Sequence, residues 1–310
     1  MAGDNFTEVT VFSLSGFASY PELQACLFLV FLFIYLFTVL GNLGLILLIK
    51  TDSQLHKPMY SFIRNLAFID IFYSSTVTPK ALVSLQFKQK YISFVGCFVQ
   101  MYFFVGFLCS ECFLLGSMAY DRFVAICNPL LYSVFMSQRV CNWLGAMPYT
   151  IGFTNSLVSV CMISSLSFCN STINHFFCDT TALLALSCTD TFKTELVIFV
   201  LAGFTLLSSL LIIMVTYIEI LSAILRIQSA AGRQKAFSTC ASHLTGVTIF
   251  YGSLIFTYLQ PDNTSSLTQA QVASMFYIIV VPMLNPLIYS LRNKDVKDAL
   301  LRTLHRKQFL

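Results

Sequence analysis

The chain has 310 residues, 57% of them hydrophobic and only 10% charged. A soluble domain carries about 25% charged residues, so the composition excludes an ordinary water-soluble protein and points to a membrane protein. The net charge of +4 is scattered, and the lack of a basic stripe excludes nucleic acid as the partner.

A helix needs about 20 residues to cross roughly 30 Å of hydrocarbon. Seven segments reach that length: residues 23–49, 58–79, 95–127, 140–163, 196–225, 236–259 and 270–291. The expected fold is therefore all-α, a seven-transmembrane helix bundle over 23–291. An extracellular N-terminus precedes it over 1–22, and a cytoplasmic tail with a short amphipathic helix follows over 292–310. The first span is too long for the apolar core of a signal peptide and lacks a basic flank before it, so a retained anchor is expected.

Orientation follows from the basic residues. Of 18 Lys and Arg, 14 fall on one side: Lys50, Lys57, Arg64, Arg122, Arg139, Arg226, Arg233, Lys235 and six from Arg292 onward. The positive-inside rule places that side in the cytosol and the N-terminus outside. Three glycosylation sequons, at Asn5, Asn170 and Asn263, all fall on the outer side.

Within the first span, Asn42 lies eight residues from Lys50, about 12 Å into the membrane. An amide there must face partners inside the bundle. Asp70 sits about 18 Å above Pro58, and Glu111 about 16 Å above Arg122 on the neighbouring helix. Two carboxyls at the same depth repel each other and resist burial as charges. They could share a cation such as sodium, one could stay protonated, or both could form a neutral hydrogen-bonded pair.

The sequence MAYDRFVAICNPL (118–130) sets Asp121 beside Arg122 near the inner end of the third span. Four cysteines, Cys97, Cys169, Cys178 and Cys188, fall on the oxidising outer side, where disulfides are the default; four allow three connectivities. His175 beside Cys178 raises a metal site as an alternative to a polar loop His. The second outer loop, about 164–193, is long enough to suggest a function. The third inner loop, about 227–235, is short and basic. His243 in the sixth span reads as a hydrogen-bonded packing residue. Pro286 in the seventh should kink its helix and free carbonyls, one of which Asn285 can satisfy. In the tail, Val296, Leu300, Leu301 and Leu304 recur at helical spacing, which suits a helix lying on the inner leaflet.

The blocks LHKPMYSFIRNLAFID (55–70), MAYDRFVAICNPL, KAFSTCASHL (235–244) and PMLNPLIYSLRN (282–293) together resemble the class A, rhodopsin-like G-protein-coupled receptors. Within them, these blocks resemble the olfactory receptors, and the loop block FCNSTINHFFCDTTALLALSC (168–188) also matches. Thr216 and the stretch Ile63-Arg64-Asn65 depart from the family's usual residues. The resemblance implies pairing of Cys97 with Cys178 and of Cys169 with Cys188. It implies a sodium site at Asp70 and Glu111, with no other cofactor. It implies that Arg122 meets the G protein, that Asp121 restrains it at rest, and that Tyr217 and Tyr289 are switch residues. No acid occurs over 227–244, so the restraint that related receptors place on the sixth helix must be absent or different. The family also implies a stimulatory, olfactory-type G protein, a rise in cyclic AMP, and the ciliary plasma membrane of olfactory neurons.

The expected ligand site lies in the outer half of the bundle. Candidates are Phe104, Val105, Leu108 and Cys109 on the third span, and Leu201, Ala202 and Thr205 on the fifth. The sixth offers Tyr251, Leu254, Ile255 and Tyr258, and the seventh Met275 and Ile278. The set is apolar with a few hydroxyls, which suits a small, uncharged, hydrophobic odorant. The alternative is an ion channel or transporter using Asp70 and Glu111, but no inverted repeat is seen. The residues lack nucleophile or metal-site spacing, so an enzyme is not expected.

Overall fold

A computed structural model describes residues 9–16, 24–87, 90–258, 271, 274–291 and 293–307. The long helices are α1 (Gln24–Thr51), α2 (Pro58–Phe87), α3 (Phe94–Cys127), α4 (Gln138–Ser164), α5 (Phe192–Arg226) and α6 (Ala230–Tyr258). A π-turn, Phe276–Val280, runs into α7 (Val281–Leu291), and α8 (Lys294–Lys307) follows. The helices α1, α3, α4, α5 and α6 are long and apolar enough to cross a membrane. Helix α2 has the length, 30 residues, but carries Arg64, Asp70 and Lys80.

Helix α3 is the axis of the molecule and packs against α2, α4 and α5. Every residue from Ser110 to Ala119 on it is buried, as expected for a helix that is apolar all round and lies inside a bundle. Ser93 caps its start by accepting the Gly96 amide at 3.1 Å. Asn42, 0% exposed, donates to the carbonyls of Thr38 and Pro282, both at 3.0 Å, and so joins α1 to α7.

Three boundaries differ from the sequence reading. Helix α2 continues past Pro79 to Phe87; the proline removes one hydrogen bond, a loss that packing within a bundle tolerates. Helix α5 opens at Phe192, before the expected residue 196. Helix α6 opens at Ala230, six residues before the expected start at 236. The inner loop expected over 227–235 is thereby reduced to Ile227–Ser229. Charges mark the edge of the hydrocarbon, but the backbone ladder runs on into water.

The outer face carries structure that the all-α reading did not contain. A three-stranded sheet of order β2-β1-β3 joins the N-terminal segment β1 (Val11–Leu14) to β2 (Tyr91–Ser93) and β3 (Thr172–Ile173). Strand β1 runs antiparallel to β2 and parallel to β3. Phe12 and Leu14 are fully buried against Phe98, Phe168 and Cys97. Strands this short have no pattern of their own and form only where the loops meet. The second outer loop also holds a helical turn, Thr180–Leu184, capped by Asp179 through the amides of Thr181 and Ala182.

At the inner face, Asn293 caps α8 by accepting the Asp295 and Val296 amides. Val296 and Ala299 are buried, whereas Leu300 and Leu301 are exposed. The apolar stripe thus splits, with Val296 turned to the bundle and the leucines outward. The Leu304 side chain lies outside the described residues.

Candidate functional site

At the inner end, a cavity of about 840 Å³ opens among α2, α3, α6, α7 and α8, lined by Tyr60, Asp121, Arg122, Tyr132, Gln234 and Tyr289 among others. The Asp121 carboxylate accepts the Tyr132 hydroxyl at 2.7 Å. Burial, and then the Asp121 charge, push the Tyr132 phenol above its usual range, so it stays a donor. Tyr132 comes from the second inner loop and was missed in the sequence. It stands two residues beyond the MAYDRFVAICNPL block, which is the signal that would have found it.

Two ties brace this end. His243, fully buried, meets the Tyr217 hydroxyl through Nδ1 at 2.8 Å and the Leu115 carbonyl through Nε2 at 3.1 Å. It therefore joins α6 to α5 and α3. Tyr289 on α7 is buried, and its hydroxyl lacks a hydrogen-bond partner. It fits because residue 246 is glycine: a Cβ there would stand 3.1 Å from the hydroxyl.

At mid-depth, Asp70 and Glu111 are both buried. The Asn285 amide donates to both Asp70 oxygens, at 3.0 and 3.2 Å. Among the described residues, Glu111 Oε2 has no hydrogen-bond partner. Among the described residues no group of three His, Cys, Asp or Glu could hold a metal.

At the outer end, the disulfides are Cys97–Cys178 and Cys169–Cys188. With Cys178 in a disulfide, the metal alternative for His175 loses its thiolate. His175 is buried beside Phe176 and Phe177, with ring centroids at 4.7 and 4.4 Å. Burial pushes its imidazole down to about 4, against the opposing pull of Asp179.

The thirteen ligand candidates separate by burial. Phe104, Thr205, Tyr251, Leu254 and Ile278 are buried in the bundle, while Val105, Leu108, Cys109, Leu201 and Met275 are half-buried. Ala202 and Ile255 are exposed on the outside of their helices. Their assignment to the inner lining is corrected: in a helix apolar on every face, hydrophobicity does not reveal which side turns inward. The Tyr258 side chain lies outside the described residues. Two hydroxyls are already engaged, Thr205 accepting from Asn155 at 2.9 Å and Tyr251 donating to Ser209 at 2.7 Å. Asn155 and Ser209 were not singled out in the sequence, and nothing in a lone Asn or Ser would have marked them. Phe176 and Phe177 were also missed, although their place next to Cys178 was a usable signal. Asn170 is exposed; Asn5 and Asn263 lie outside the described residues.

The comparisons agree with this geometry. A family model described as olfactory receptor matches residues 31–307. Human olfactory receptor 8I2 is 82% identical over all of this chain and all of its own length. Human olfactory receptor 8H1 is 57% identical over 99% of both chains, and mouse olfactory receptor 8U9 is 56% identical over 99% of this chain and 98% of its own. The crystal structure of squid rhodopsin superposes with a TM-score of 0.75 at 19% identity, covering 91% of this chain and 81% of that one. That likeness is one of fold: a seven-helix, rhodopsin-like bundle. The chain belongs to the olfactory receptor family.

Proposed function

We propose that this receptor binds small, mostly hydrophobic, uncharged odorants in the outer half of the bundle and activates a stimulatory, olfactory-type G protein, raising cyclic AMP. The observation that carries this reading is the cavity of about 840 Å³ at Arg122 and Tyr289, open to the cytoplasmic side. It has the size and the polar floor to receive a helix end from a partner. The outer half supports the ligand class: its buried lining is Phe104, Leu254 and Ile278 with the hydroxyls of Thr205 and Tyr251. Among the described residues of the outer half of α3, 94–110, none is acidic, so no charge there meets an amine.

The mechanism is a population shift. An odorant favours a state with the cytoplasmic cleft wider only if it binds that state better. The Tyr217–His243–Leu115 tie sits where α6 must part from α3 and α5. Asp70, Glu111 and Asn285 would hold a sodium ion, which supplies a positive charge between two buried acids; the partnerless Glu111 Oε2 fits that role. We place the receptor in the plasma membrane of olfactory cilia with its N-terminus outside. The channel alternative is not favoured, since Asp70 is engaged by Asn285 within a packed core.

A cyclic AMP reporter, run with the stimulatory G protein and a broad odorant panel, tests the reading. Arg122→Ala at equal surface level should abolish the response. A response that survives in the mutant overturns the role of Arg122.

A further inference from the structure

We propose that Gln100 is a positioning residue that sets how deeply Phe177 of the second outer loop enters the odorant site, and thereby selects ligand length. The proposal rests on the odorant-binding reading above. Gln100 lies one turn below Cys97 on α3 and is 8% exposed. Its amide is used at both ends. Nε2 donates to the Thr76 carbonyl of α2 at 2.9 Å, and Oε1 accepts the Cys178 amide at 3.0 Å. Cys178 is therefore held twice, by its sulfur to Cys97 and by its backbone to Gln100. A disulfide alone leaves the backbone free to turn about the bridge; the second attachment removes that freedom.

The residue so aimed is Phe177, 0% exposed. Its ring lies 4.8 Å from Phe104, one helical turn below Gln100. Phe104 in turn stacks on Tyr73 at 5.2 Å and approaches Tyr277 at 6.4 Å. This layer spans α2, α3 and the π-turn. Leu108 follows Phe104 about 6 Å further into the membrane, so the layer is the ceiling of the outer-half site. From above, the loop is held by the N-terminal segment, with the Ser15 and Gly16 amides donating to the carbonyls of Ile173 and His175. The segment from Ile173 to Cys178 is thus clamped between a strand above and Gln100 below. An apolar residue at position 100 would leave the buried Cys178 amide without its acceptor, and the clamp would hold on one side only.

Two readouts test this. In purified receptor, amide hydrogen exchange at Phe177–Cys178 should be faster in Gln100→Leu than in wild type. In cells at equal surface level, a homologous series of straight-chain alcohols and ketones is compared. Gln100→Leu should favour longer members by about tenfold for an added methylene, as Phe177→Ala does. In a Phe177→Ala background, Gln100→Leu should add no further shift. Unchanged exchange, a uniform loss of potency along the series, or a shift that persists without Phe177 would overturn the proposal. Silence of the wild type towards every odorant would count against the odorant reading instead, while the exchange measurement would still decide the role of Gln100.

Discussion

The two ends of the bundle are built on opposite terms. The outer end is closed by two disulfides, a three-stranded sheet and a layer of buried rings. The inner end keeps a cavity of about 840 Å³, and the two ion pairs among the described residues there are partly solvent-exposed. Arg302 and Lys57, which pair with Asp52 and Asp295, are 43% and 61% exposed. Such pairs contribute about 0–1 kcal/mol. Under the proposed function, the covalently closed end is where a ligand would be read, and the end with the open cavity is where helices would part.

Breaking the outer closure should have the largest effect on stability. Cys97→Ser removes the bridge to Cys178 and should cost about 2–5 kcal/mol, enough to abolish surface delivery. Surface staining checks it, and normal delivery would refute the picture of a covalently fastened cap. A smaller effect should come from pH. The unfolded chain protonates a histidine near 6.5, whereas buried His175 takes its proton only near about 4. Between those values the unfolded state holds more protons. Stability is thus full above about pH 6.5 and falls as the pH drops towards 4, by up to roughly 3 kcal/mol. Melting temperatures of the detergent-solubilised receptor at neutral and mildly acidic pH should show the loss, and His175→Phe should reduce it. The smallest effect belongs to the inner end. Asp52→Asn, which breaks the pair with Arg302, should shift stability by less than about 1 kcal/mol and leave surface level unchanged. A large loss there would mean that the inner face is fastened as firmly as the outer.

Much of the site was legible in one dimension. Asp121, Arg122 and Tyr289 stand in blocks whose spacing survives any packing, and all three line the inner cavity. Asp70 and Glu111 could be placed at equal depth because helical rise converts residue number into height. What misled the reading was rotation rather than height. Ala202 and Ile255 stand at the right level on α5 and α6 but face outward.

The sequence alone determined the class of protein, the spans and the distribution of charge across them. Each of these is a sum over neighbours in the chain, set by the cost of carrying polar groups through hydrocarbon. Tertiary structure decided which side chains meet: Tyr132 with Asp121, Asn285 with Asp70, His243 with Tyr217, and Phe177 beneath the Cys97–Cys178 bridge. The reason is physical. In lipid a helix has no wet side, so hydrophobicity cannot fix its rotation; close packing and a few buried hydrogen bonds do.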